Sequence, residues 1–164
     1  MQTFEILLIE DNLDDRFVFQ RAVTVSGISA IVTFAPHAAE AVSRLNRFGA
    51  YADTPLPALI ILDLGLPGIT GKTLLQVVRN AYGPQSVPIL VLTGSSAPAD
   101  EEECASWGIS GFMVKPNNFD DMVRFAASLP GLLSSGVNRM REEIEHRQQT
   151  VPSITPRPQK PNTR

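Results

Sequence analysis

Ala58-Leu59-Ile60-Ile61-Leu62-Asp63 is the stretch on which the reading of the fold turns. Five consecutive aliphatic residues leave no polar face. A strand apolar on both sides belongs at the centre of a parallel sheet, where helices cover both faces. Pro88-Ile89-Leu90-Val91-Leu92 repeats the chemistry 30 residues later.

Working outward, short apolar runs alternate with helical stripes. Strands are predicted at 4–9, 30–34, 58–62, 88–92 and 111–114. Helices are predicted at 13–26, 38–48, 72–81, 99–107 and 119–129. The helices are read from apolar residues at intervals of three and four, the strands from β-branched runs bounded by Gly, Pro or Asp. Five β-α units in strict alternation predict an α/β fold, a doubly wound five-stranded parallel sheet. Of the common strand orders, the flavodoxin-like 2-1-3-4-5 fits this count best. No internal repeat is visible.

The chain has 164 residues and a formal charge of −3, with hydrophobic residues at 43% and charged residues at 19%. That is enough apolar matter for one folded domain, and too mild a charge for bulk nucleic-acid binding. No direct DNA contact is expected. Residues 1–133 hold 8 Lys/Arg against 14 Asp/Glu, net −6; residues 134–164 hold 6 against 3, net +3. Four of the 13 prolines lie in the last 14 residues. The expectation is an acidic domain over 1–133 and a basic, Pro-rich tail over 134–164. In that tail Val137, Met140 and Ile144 stripe a short helix over about 137–149, and 152–164 is disordered. No apolar run is long enough to span a bilayer, and no cationic segment precedes the first strand as in a signal peptide. With Cys104 the lone cysteine, the expected compartment is the reducing cytoplasm.

In an open parallel sheet, ligands bind beyond the carboxyl ends of the strands. Strand one ends in Glu10-Asp11, strand three in Asp63, strand four in Thr93-Gly94 and strand five in Lys115-Pro116. Four of five strands therefore deliver a reactive polar group to one edge. In the 2-1-3-4-5 order strands one and three are neighbours, so Glu10, Asp11 and Asp63 should converge. Each Asp alone reads as an ordinary cap or turn residue; the convergence overturns that. Three crowded carboxylates repel, and a hard divalent cation with oxygen ligands, Mg²⁺ above all, relieves them. Cation, lysine and hydroxyl together cradle a phosphoryl group, with Asp63 placed to act as nucleophile.

These pieces resemble the receiver domain of two-component response regulators, the CheY-like family. The matching segments are Leu7-Leu8-Ile9-Glu10-Asp11-Asn12, Leu59 through Gly68, Val91-Leu92-Thr93 and Phe112-Met113-Val114-Lys115-Pro116. They stand in the family's order and spacing and cover about residues 4–130. The resemblance implies that Asp63 accepts a phosphoryl group from a histidine kinase or phosphotransfer protein. It places Asp11 as direct metal ligand, Glu10 through water, and the Gly65 carbonyl as the remaining protein ligand. Thr93 and Lys115 would contact the phosphoryl group, and Thr93 and Phe112 would swing inward as the switch. The Lys115–Pro116 bond is typically cis in the family. Gly65 leaves no side chain over the phosphate at a position that tunes its hydrolysis. The Glu-Asp-Asn start, the long 48–57 loop and the Lys115–Asp121 stretch look like the stand-alone receivers that pair with phytochrome-type or hybrid kinases. The tail is too short for an effector domain, so the expected output is non-covalent. Either a homodimer forms through the face of helix four, strand five and helix five, or that face binds a downstream protein.

Two rival readings compete with this one. Residues 65–73 mimic a P-loop, but a Walker A motif needs glycine where Leu66 stands, and Pro67 removes an N–H that phosphates require. An unphosphorylated pseudo-receiver, acting only as an interaction module, conflicts with the intact Glu10, Asp11, Thr93 and Lys115. The acidic run 100–103 reads most simply as a solvated helix start. Cys104 reads as an inert packed thiol, Trp107 as a core or interface anchor, and His37 and His146 have no partner spacing.

Overall fold

The computed structural model of the chain describes residues 3–83 and 86–149, with side chains as far as residue 134. Five parallel strands, β1 (Phe4–Ile9), β2 (Ala30–Ala35), β3 (Leu59–Leu62), β4 (Ile89–Thr93) and β5 (Gly111–Val114), form one sheet in the order β2-β1-β3-β4-β5. This is the predicted order. Between them run α1 (Leu13–Ser26), α2 (Ala38–Leu45), α3 (Gly71–Tyr82) and α4 (Pro98–Ser106), and α5 (Phe119–Gln149) follows β5.

Strand alternation divides the core in two. Leu7, Ile9, Ile60, Leu62 and Val91 face α2, α3 and α4, where Leu45, Leu74, Leu75, Val78 and Cys104 meet them. Ile6, Leu8, Leu59, Ile61, Leu90 and Leu92 face α1 and α5, against Phe19, Ala22, Phe125 and Leu129. Every residue of β3 and β4 is buried. That is why these two strands carry no polar residue until their last position or the one beyond it.

Local chemistry sets the helix ends. Asn12 caps α1, its side chain accepting from the N–H groups of Asp14 and Asp15, and Gly27 closes it in the left-handed region at φ 72°. Thr70 caps α3 by accepting from Thr73 N–H. Buried Arg79 donates to the carbonyls of Gly83, Val87 and Gly108, tying the end of α3 to the approaches of β4 and β5. Buried Arg44 pairs with Glu5, whose carboxylate also accepts from Thr33 Oγ1 at 2.8 Å.

Three local expectations are corrected. The second helix stops at Leu45, short of 48: Arg47 takes φ 54°, and a 3₁₀ turn at Gly49–Tyr51 occupies the long loop. The fifth helix does not stop at 129 but continues through Pro130 to Gln149, so no separate helix begins near 137. Proline lacks the N–H that would bond the Ala126 carbonyl. The turns before it are anchored nonetheless by Met122, Phe125, Ala126 and Leu129, all buried, and Ser134 Oγ bonds the Pro130 carbonyl at 2.9 Å. No cis peptide occurs among the described residues, so Lys115–Pro116 is trans, the isomer that X-Pro bonds intrinsically favour. The disorder expected at 152–164 lies outside the described residues. Among the described residues no helix is long and apolar enough to cross a membrane.

Candidate functional site

The carboxyl ends of β1, β3, β4 and β5 meet at one edge of the sheet. Register delivers the residues there: Ile9 pairs with Leu62, so Asp63 follows directly beside Glu10. Asp63 N–H donates to the Ile9 carbonyl at 3.0 Å, and Lys115 N–H to the Thr93 carbonyl at 2.7 Å. Asp63, Thr93 and Lys115 are thus rooted in the sheet's own hydrogen bonding.

Glu10, Asp63 and Thr93 are buried, whereas Asp11 is exposed. Glu10, Asp11 and Asp63 each offer a carboxylate oxygen, and these oxygens lie within 4.8 Å of one another. One cation with oxygen ligands at about 2.0–2.6 Å can span such a group. The donor set, all oxygen and acidic, suits a hard divalent cation and disfavours zinc or copper. Gly65 stands beside Asp63, and its N–H donates to Asp63 Oδ1 at 3.1 Å.

Lys115 sits among the acids. Its Nζ lies 2.7 Å from Glu10 Oε2, 2.7 Å from Asp15 Oδ2 and 2.9 Å from Asp63 Oδ2. An ammonium has three N–H donors, and here three carboxylates use them. Burial pulls the Lys115 pKa down, but these bonds outweigh it and hold the group above the ordinary lysine range. Burial pushes the Glu10 carboxyl up, against the lowering effect of its bonds from Lys115 and from Asn12 N–H.

Asp15 is the member that sequence reasoning missed. Its position in the first turn of α1 has a bland explanation, the helix dipole. No spacing rule marks it, because Asp11 lies before the N-cap Asn12 and outside the helix.

Thr93 Oγ1 accepts from Ser95 N–H at 3.3 Å. Asp63, Gly65, Thr93 and Lys115 share an open cleft of ≈ 490 Å³ with Thr70, Lys72, Ser95 and Asp100. Phe112 is half-buried against the α2–α3–α4 side of the core, behind this edge rather than in the cleft. Cys104 is fully buried and burial pushes its thiol pKa up, which makes it unreactive. Half-buried Trp107 packs on the same core. The acidic run of α4 is not merely solvated: Asp100 and Glu103 both pair with Lys72.

A doubly wound parallel sheet with an acid cluster and a lysine at its carboxyl edge defines a class of α/β domain whose site lies beyond its strand ends. The model of the response regulator receiver domain family matches residues 6–127, and the chain belongs to that family. The chain is similar to response regulator Rcp1 of Synechocystis sp., at 27% identity over 124 residues, 76% of this chain and 84% of Rcp1. Among solved structures, the phosphorylated cyanobacterial phytochrome response regulator RcpA superposes with a TM-score of 0.74 at 25% identity, covering 82% of this chain and 96% of RcpA. The Mn²⁺-bound form of Rcp1 gives 0.68 at 26% identity, covering 77% and 91%. The fold is CheY-like and the chain is a two-component receiver.

Proposed function

We propose that the chain is a phosphoacceptor in a two-component phosphorelay, taking a phosphoryl group on Asp63 from a histidine kinase or phosphotransfer protein. The observation that carries this reading is the Asp63 carboxylate, bordering an open cleft between two further acids and Lys115. The phytochrome-associated relatives favour a phytochrome-type kinase as donor. The chain catalyses only its own phosphorylation and dephosphorylation, and turns over no other substrate.

Glu10, Asp11, Asp63 and the Gly65 carbonyl would hold Mg²⁺, which would neutralise charge on the transferring phosphoryl group. An Asp63 carboxylate oxygen forms the new O–P bond, and the donor's bond to phosphorus breaks. The leaving group keeps that electron pair and takes up a proton. Lys115 exchanges one carboxylate for a phosphoryl oxygen. Thr93 turns its hydroxyl from the Ser95 N–H to the new anion, and Phe112 moves into the space behind it. The change reaches partners through the face of α4, β5 and α5, where the edge strand β5 leaves Val114 exposed. A second copy of the chain or a downstream protein docks there.

The test is incubation with acetyl phosphate and Mg²⁺ followed by intact-mass measurement. Wild type is expected to gain one phosphoryl group and Asp63→Asn none. No adduct on wild type would leave the pseudo-receiver reading, an interaction module without phosphorylation, in its place.

A further inference from the structure

Lys72 follows Gly71, the first residue of α3, and Gly71 lies against the backbone of Asp63 itself. A Cβ on Gly71 would stand 2.2 Å from the Asp63 carbonyl oxygen. The start of α3 is therefore fixed on the acceptor residue, and Lys72 borders the same cleft as Asp63, Thr93 and Lys115. Its Nζ does not point free. It lies 2.7 Å from Asp100 Oδ1 and 2.5 Å from Glu103 Oε2, both on α4. Asp100 also accepts from Ser95 Oγ, on the loop that follows Thr93. So one side of the cleft mouth carries a cation and two anions, partly exposed, within reach of whatever enters.

We propose that Lys72 is a second cationic contact for the incoming phosphoryl dianion, and that Asp100 and Glu103 attenuate it. Two facts support this. Lys115 has all three of its donors committed to carboxylates, so the metal-free cleft offers an entering anion no free ammonium there. The second is charge: Asp100 borders the cleft and repels a dianion unless Lys72 stands beside it. Lys72 and α4 are 31 residues apart for the Glu103 bond, which is why no local pattern marks the pair.

A purely mechanical role is the alternative. If the bridge only clamped α3 to α4, breaking it from either side would have the same effect. An electrostatic role makes the two sides differ in sign. The inference rests on phosphorylation at Asp63, so wild type serves as the reference for that reading.

The experiment measures the rate of acetyl phosphate labelling in Mg²⁺ at low ionic strength. Lys72→Met should raise the acetyl phosphate concentration needed for half-maximal rate by about three- to tenfold, leaving the maximal rate unchanged. Asp100→Asn with Glu103→Gln should lower it. Lys72→Arg should behave as wild type, and the differences should shrink at high salt. The pair is partly exposed, so all the variants should fold; circular dichroism checks this. Equal, same-direction effects from the two sides, or no effect from Lys72→Met, would overturn the proposal while wild type still labels. Failure of wild type to label would overturn the Asp63 reading as well.

Discussion

Lys115→Met should destabilise the metal-free protein by about 3–5 kcal/mol, because it leaves buried carboxylates without their counter-charge. Glu10 and Asp63 are the buried partners, at 2% and 7% exposure, and Asp15 is the third. For a domain of this size the loss corresponds to a fall in Tm of roughly 10–20 °C. Methionine keeps most of the aliphatic stem, so lost packing contributes little. Two additions identify the cause as electrostatic. Saturating Mg²⁺ should raise the Tm of Lys115→Met more than that of wild type, since binding to the folded state alone stabilises it. Asp63→Asn added to Lys115→Met should recover part of the loss by removing one of the crowded charges. Thermal unfolding of wild type, Lys115→Met and the double variant in chelator and in Mg²⁺ provides these values. A Lys115→Met protein as stable as wild type in chelator would contradict the geometry.

Gly71→Ala should act on the site without touching any of its charges. The added Cβ would meet the Asp63 carbonyl oxygen at 2.2 Å and the Leu64 Cα at 2.6 Å. Both are backbone atoms that cannot rotate aside, so either α3 withdraws or the acceptor loop shifts. Gly71 N–H also donates to the Leu64 carbonyl at 3.1 Å, a bond that either movement stretches. Overpacking of this kind costs about 1–3 kcal/mol, or more where the obstacle is rigid. The larger effect should fall on chemistry: displacing a reacting group by about 1 Å can cost on the order of 100-fold in rate. Gly94→Ala is the control for stability, because its Cβ would meet nothing within 4 Å. Urea unfolding and the labelling rate measure the two consequences separately. A Gly71→Ala protein that unfolds and labels as wild type would show that α3 is not seated on Asp63.

These two positions show what a linear reading reaches. The parallel sheet followed from alternation and its order from the count of five β-α units among the common arrangements; the four converging ends followed because central parallel strands must be apolar throughout and polar residues can appear only where they end. Glu10, Asp11, Asp63, Thr93 and Lys115 were legible for that reason. Asp15 was not, because its partner Lys115 lies 100 residues away and a first-turn acid has a local explanation. The Lys72 bridge was hidden behind a false P-loop and an acidic run that reads as solvated. Gly71 falls just outside the helix predicted at 72–81, whereas the constraint on it comes from the backbone of Asp63 in space. The predicted helix ends at 129, just before Pro130; interior proline costs a helix about 3 kcal/mol, yet burial of α5 against α1, with Phe19 and Phe125 ring centroids 6.3 Å apart, holds the turns on which the continuation builds.

The central claim is that Asp63, and no other carboxylate of the cluster, carries the phosphoryl group. Borohydride reduces an acyl phosphate to the alcohol, so labelled protein treated with it and digested should yield homoserine at position 63. The account predicts that conversion in Mg²⁺ with acetyl phosphate, its absence without Mg²⁺, and unmodified Glu10, Asp11 and Asp15. Homoserine at position 11 or 15, or the homologous reduction product at Glu10, with Asp63 intact, would contradict it.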